Sequence, residues 1–265
     1  MPYRRAFSTL GCAESSLPDA LALAARHGLD GLELRALGGT LDLPAYLHAT
    51  YGTPAKLAAA LHGAAVRITV LDSSLRLAGA TAADRAGFLD FVPWAEALGV
   101  PWLRVFDGEC AAGEPGAGEA AAALRWWRDL RQARGWRVDC AIETHDALLT
   151  SAEILRFVAA APGAKILWDT HHTWKLGGED PLATWRAIRP HVAHVHVKDS
   201  VTPPGAGSAH AYTLPGRGEF PMGALAPVLR REFTGSVSLE WERLWHPELP
   251  PLESALESAA TTAWW

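Results

Sequence analysis

Four short apolar runs in the second half of the chain each deliver carboxylates or imidazoles at their C-terminal ends. Ala141-Ile142 leads into Glu143-Thr-His145, and Ala164-Lys-Ile-Leu-Trp168 leads into Asp169-Thr-His-His172. His191-Val-Ala-His-Val-His-Val197 carries His196 and runs on to Lys198-Asp199, and Val237-Ser-Leu239 leads into Glu240-Trp-Glu242. If Glu143, Asp169 and Glu240 converged without a cation they would repel, and one or more would have to stay protonated. A divalent ion removes that conflict, with His196 as a fourth ligand. An oxygen-rich set with one imidazole suits Mn²⁺, Mg²⁺ or Co²⁺ and tolerates Zn²⁺ or Fe²⁺. Cysteine takes no part, which argues against a structural zinc site. One divalent metal is therefore the expected cofactor. No Gly-rich nucleotide loop is visible, so no organic cofactor is expected.

Other polar residues cluster around these positions. His145 lies two residues after Glu143 and points the same way in extended chain. His172, three after Asp169, reaches the metal or the substrate if the strand turns there. Lys198, two after His196, reads as a clamp on a substrate oxygen; a surface pair with Asp199 is the plainer alternative. One acidic strand end is usually a solvated boundary or a helix cap, whereas four at consecutive strand ends point to a shared site. His194 is as well explained by burial as by ligation, and His27, His48, His62 and His246 read as structural or surface residues. Trp168, Trp241, Phe106 and Trp174 are candidates to stack on a face of the substrate. Arg35 and Arg104 could bind phosphate or carboxylate, or else pair with Glu33 or Asp107.

The elements that must position these groups follow a regular rhythm. Strand-like runs at 5–10, 31–35, 66–71 and 102–106 alternate with helical segments at 16–28, 53–63, 81–98 and 118–134. Ser, Pro and Gly at the right places mark several helix starts and stops. Strands at 137–142, 164–168, 192–197 and 236–241 then alternate with helices opening at Thr150, at 181–188, at 222–231 and at 252–260. Thr150-Ser-Ala-Glu153 has the form of a capping box. A long Pro/Gly/Ser-rich loop covers 202–218. Eight strand–helix units of about 30 residues each match the ~250-residue scale of a (β/α)8 barrel. A doubly wound open sheet usually binds its ligand beside a Gly-rich first turn, and none is present. The expected fold is a single parallel eight-stranded (β/α)8 TIM barrel domain over residues 1–265, with its site at the C-terminal mouth.

Composition narrows the function class. Apolar residues make up 49% of the 265, enough for a sizeable core. The formal charge of −5 is spread along the chain, so the basic stripe of a nucleic-acid binder is missing. No run is long and apolar enough for a membrane span. The first residues carry no apolar signal core, and Cys12, Cys110 and Cys140 read as reduced thiols, so a cytoplasmic location is expected. The expected partner is a small molecule, with neither nucleic acid nor membrane. The count of 12 Trp is compatible with a homodimer.

Glu143-Thr-His145, Trp168-Asp-Thr-His-His172, His194-Val-His-Val-Lys-Asp199, Leu214-Pro-Gly-Arg-Gly-Glu219 and Ser238-Leu-Glu-Trp-Glu242, in this order, resemble the xylose isomerase-like barrel superfamily, in particular its sugar phosphate isomerase/epimerase branch. The resemblance covers nearly the whole chain, including Gly31-Leu-Glu-Leu-Arg35. It implies a barrel with one divalent metal on Glu143, Asp169, His196 and Glu240, and His172 on the substrate or metal. Ketohexose epimerases of that family place an Arg after the seventh-strand His. Lys198-Asp199 stands here instead, and Arg217 in the long loop is the candidate substitute. The chemistry expected is a metal-dependent isomerisation or epimerisation of a sugar or sugar-like polyol, with or without a phosphate, through an enediolate. Glu143 and Glu240 would remove and return the proton. A dehydratase of the inosose or dehydroshikimate type is the main alternative, since the same enolate can lose a β-hydroxyl. An endonuclease-type phosphodiester hydrolase and a non-catalytic sugar-binding barrel are minor ones.

Overall fold

The computed structural model describes residues 3–108, 115–203 and 210–265. Cys110 and the centres of the 108–118 and 202–218 loops lie outside the described residues. Eight parallel strands close into a barrel: β1 (Arg4–Ser8), β2 (Gly31–Leu34), β3 (Arg67–Arg76), β4 (Trp102–Phe106), β5 (Asp139–Glu143), β6 (Lys165–Asp169), β7 (Val192–Val197) and β10 (Ser236–Leu239). A separate antiparallel pair, β8 (Asp199–Val201) and β9 (Ala211–Thr213), follows β7 after the single residue Lys198. The helices are α1 (Leu17–Arg26), α2 (Leu43–Tyr51), α3 (Pro54–Ala60), α4 (Ala82–Leu89), α5 (Val92–Leu98), α6 (Pro115–Arg134), α7 (Ser151–Ala160), α8 (Pro181–Ile188), α9 (Met222–Glu232) and α10 (Leu252–Thr261). The chain is thus the (β/α)8 TIM barrel that its alternating pattern predicts.

Local chemistry explains the boundaries. Ser16 caps α1 by accepting from the Asp19 N–H, and Gly28 closes the following turn at φ +62°. Thr150 and Glu153 form the expected capping box on α7. The expected helix over 81–98 is two helices, because Pro93 lacks an N–H and its ring would clash with the carbonyl four residues back. The sequence reading missed α2, although Asp42 caps it and Pro44 opens it. It also missed the β8–β9 pair inside the expected loop. The strands are apolar and buried on both faces, as a parallel barrel requires. Trp127, Trp168, Trp185 and Trp241 are among the largest fully buried side chains. Two of the expected sugar-stacking residues, Trp168 and Trp241, are therefore core: Trp168 donates to Thr173 Oγ1 (2.9 Å) and Trp241 to the Pro250 carbonyl (2.8 Å). Trp264 and Trp265 are also buried, against this chain's own core. No helix among the described residues is long and apolar enough to cross a membrane.

Candidate metal centre and active site

Strand register brings the expected ligands together. Asp169 and His196 are direct neighbours across β6 and β7, and Ser238 sits beside His196 on β10. With side chains repeating every two residues, Glu240 and Lys198 project together one step beyond that pair. Glu143 ends β5 on the other side of β6. Glu143, Asp169, His196 and Glu240 are all buried, and each offers a ligand atom within 4.8 Å of the others. His196 Nδ1 lies 3.3 Å from Glu240 Oε2 and 3.6 Å from Glu143 Oε1. His196 Nδ1, Asp169 Oδ2 and Glu143 Oε2 are buried without a hydrogen-bond partner. Buried polar atoms left open in this way are costly, and three carboxylates with one imidazole are hard donors that a divalent cation satisfies. The residues present fit such an ion.

The charged groups behind the ligands hold them in place. Glu33, wholly buried on β2, accepts from His194 Nε2 at 2.7 Å and lies 3.0 Å from His196 Nε2. With Nε2 turned to Glu33, His196 presents Nδ1 to the other ligands. Burial raises the Glu33 pKa, but the two imidazoles outweigh it and hold the carboxyl well below the usual range. Burial likewise works against ionised Glu143, yet Arg104 beside it brings its pKa down to about 2; the two groups are 3.3 Å apart. Asp72 goes the other way: burial, and Glu33 nearby, push its pKa well up. These are three carboxyls in one barrel with opposite tendencies, set by which neighbours each has.

Lys198 is buried at the centre of a cage of acids. Its Nζ lies 2.6 Å from Glu240 Oε2, 2.5 Å from Glu242 Oε1 and 2.9 Å from Asp169 Oδ2. The last contact is an ion pair outside hydrogen-bonding geometry, since Asp169 Oδ2 keeps no hydrogen-bond partner. Burial disfavours the ammonium, but Asp169, Glu240 and Glu242 together raise its pKa well above the ordinary value. Tyr212 on β9 donates to Glu242 (2.9 Å) and closes this side of the cage.

Two histidines face each other beside the ligands, with rings 5.0 Å apart. His172 Nδ1 lies 2.9 Å from the Thr144 carbonyl. A carbonyl only accepts, so Nδ1 carries the proton and Nε2 of the neutral ring is the basic nitrogen. His172 stands at the start of one turn of π-helix, His172–Leu176, the kind of insertion that re-aims a side chain at a functional site. Gly177 ends this turn so close to the preceding loop that a Cβ there would sit 1.9 Å from the Leu149 carbonyl oxygen. His145 is held at Nδ1 by Asp146 (2.8 Å). Burial lowers its pKa, and Glu143, Asp146 and Asp107 more than reverse this, so the imidazolium persists above the ordinary histidine range.

A cleft of about 200 Å³ opens onto these groups, lined among others by Arg35, Arg104, Phe106, Glu143, His145, His172, Lys198 and Glu240. Trp245, half exposed, stands at its rim. The predicted His145, His172 and Lys198 thus meet the predicted ligands. Arg217 does not: it is exposed and absent from the cleft lining, while the loop around it folds onto Asp199. Of the expected stacking residues, only Phe106 lines the cleft. Glu33, Asp72 and Glu242 were missed as site residues. The rule that found the others also applied to Asp72, which follows the apolar run 66–71, and a lone Glu between leucines in Gly31-Leu-Glu-Leu was a signal of its own.

The sequence profile of a family described as xylose isomerase-like TIM barrel matches residues 21–262. The search of curated proteins returned no match. Among solved structures, the chain is similar to the probable 3-DHS dehydratase AsbF of Bacillus anthracis, at 20% identity and TM-score 0.77, covering 98% of this chain and 99% of that one. It is also similar to the IolI protein solved with a binding zinc atom, at 19% identity and TM-score 0.75, over 98% and 96% of the two chains. A third is the 3-keto-D-glucoside 4-epimerase YcjR of E. coli, at 15% identity and TM-score 0.70, over 98% and 99%.

Proposed function

The chain belongs to the xylose isomerase-like TIM barrel family, and from that premise we propose that it is a divalent-metal-dependent isomerase or epimerase of a sugar or sugar-like polyol. One observation carries the reading: the buried ligand atoms of Glu143, Asp169, His196 and Glu240 lie within 4.8 Å of one another at the barrel mouth. A divalent ion held there would supply Lewis acidity to a substrate carbonyl and its neighbouring hydroxyl. Glu143 and Glu240 come from strands separated by β6 and β7 and so flank a substrate on different sides. In this reading one takes the proton next to the carbonyl and the other, in its protonated form, gives a different proton to the opposite face, which inverts the centre. Return to the neighbouring carbon from one side exchanges aldose and ketose. Ligation lowers carboxylate basicity, and His172, which lines the cleft with Nδ1 turned to the Thr144 carbonyl, presents Nε2 for that part.

A second reading is a dehydratase, favoured by Lys198. Its ammonium, held among Asp169, Glu240 and Glu242, puts positive charge in the cleft that His145 also lines, where a departing β-hydroxyl gathers negative charge. It rests on the same ligands and differs only in the fate of the enolate.

Elemental analysis of the purified chain beside Glu143→Gln and Asp169→Asn tests the shared premise. The expected result is near one equivalent of Mn, Mg, Co, Zn or Fe, lost in both variants. No uptake of added Mn²⁺ by a correctly folded chain overturns the reading. Incubation with ketoses and inososes in deuterated water then separates the two chemistries. Deuterium incorporation without loss of water marks the isomerase or epimerase, and loss of water the dehydratase.

A further inference from the structure

Arg35 and Arg104 are the cations of the cleft that keep open donors, although Arg104 also faces Glu143 at 3.3 Å and Asp72 at 3.7 Å. Lys198 is committed to three carboxylates, and Arg76 to Asp146. Arg35, only 5% exposed, follows β2 and donates to the Asp72 carbonyl (3.4 Å) and to Ser74 Oγ (3.0 Å). It has no carboxylate within ion-pairing distance among the described residues. Arg104, on β4 at the far side of β3, lies over the Phe106 ring at 4.0 Å. Its Nε and Nη1 are buried without a hydrogen-bond partner. Both side chains line the cleft that holds Glu143 and Glu240.

A buried guanidinium without a counter-ion is costly, and a second one nearby adds repulsion. Burial first, and Arg104 second, bring the Arg35 pKa down to about 10. Guanidinium forks match the paired oxygens of carboxylates and phosphates. We infer that the substrate carries an anionic oxygen group, carboxylate or phosphate, that binds to Arg35 and Arg104 while its hydroxylated end faces Glu143 and Glu240. The inference rests on the proposed function for its hydroxylated end, and the anion site stands on the two arginines alone.

Three probes of similar size test it: D-glucitol, D-gluconate and D-glucitol 6-phosphate, titrated calorimetrically into the Mn²⁺-loaded chain. At least one anion should bind about tenfold or more tighter than glucitol, the advantage of charge-assisted hydrogen bonds. Which anion gains identifies carboxylate or phosphate. Arg35→Met should erase the gap. Arg35→Lys, which keeps the charge and loses the fork, should leave part of it, and it serves if the Met variant fails to fold. Equal binding of all three probes overturns the inference. So does a gap that survives Arg35→Met, which would put the anion on the metal instead. Failure of the functional reading is seen separately, as absence of Mn²⁺ uptake before any probe is added; the anion gap is then read on the chain as purified.

Discussion

The residue that governs the centre without belonging to it is Glu33. It sits between His194 and His196, and by holding His196 Nε2 it leaves Nδ1 as the nitrogen that would meet a metal at the proposed centre. Glu33→Gln keeps the size and removes the charge. Metal affinity should fall by about ten- to a hundredfold, the usual cost of losing such a partner, measured by competition with a chelator. Unchanged affinity would mean that the strand alone orients the ring. The candidate ligands were legible in the sequence because polar groups recur at the ends of four successive apolar runs, a pattern that a single solvated strand end does not make. Glu33 and Asp72 were less so. A polar residue within a strand declares its partner only once the barrel closes, and Glu33 lies 161 and 163 residues from its two histidines along the chain. Arg217 stands outside the cleft lining for the converse reason: Leu-Pro-Gly-Arg-Gly-Glu is a turn sequence, and nothing local says which way its long side chain faces.

At the level of elements, two carboxylates act as hubs for backbone. Asp107, just after β4, accepts from the N–H groups of His145, Asp146, Ala147 and Leu148. Asp199, at the start of β8, accepts from Ser200, Gly216, Gly218 and Phe220 at 2.9–3.0 Å. Each fixes a loop beside the cleft to the end of a strand. Gly218 fits because a Cβ there would lie 2.2 Å from the Asp199 carboxylate. Asp199→Ala strands these donors and should destabilise the chain by about 3 kcal/mol, read as a lower denaturant midpoint at constant slope. A midpoint that does not move would show that the loop holds without the carboxylate. The barrel strands and most helices were legible from apolar runs and caps. The β8–β9 pair was not, since three-residue strands in a Pro/Gly/Ser-rich stretch have too few side chains to show a period.

For the whole molecule, a mouth crowded with buried acids couples metal, pH and stability. At a Mn²⁺ concentration about a hundred times its dissociation constant, the folded state gains roughly 2.7 kcal/mol. For a chain of this size that raises Tm by roughly 5–10 °C, measurable by calorimetry with and without chelator. His196 sets the pH dependence. Burial opposes its charge, but Glu240 and Glu33 outweigh this and hold its pKa well above the ordinary value in the metal-free chain. The stability from that charge is complete below the unfolded value of about 6.5 and is lost as pH rises through the folded one. A metal on Nδ1 needs that proton gone, so the Mn²⁺ shift should be larger near pH 8 than near pH 6. An equal shift at both would count against His196 as a ligand.

Barrel closure sets a condition on synthesis. β1 completes the ring by pairing with β10, Arg4 beside Ser236, and β2 covers only its other edge. At ribosomal speeds of about 5–20 residues per second, the first strand waits roughly ten to fifty seconds for the last one to emerge. Through that interval one row of its N–H and C=O groups stays unpaired, open to other nascent chains. Every productive molecule passes through this stage, so the demand for protection during translation is greatest at the edge that the finished barrel hides.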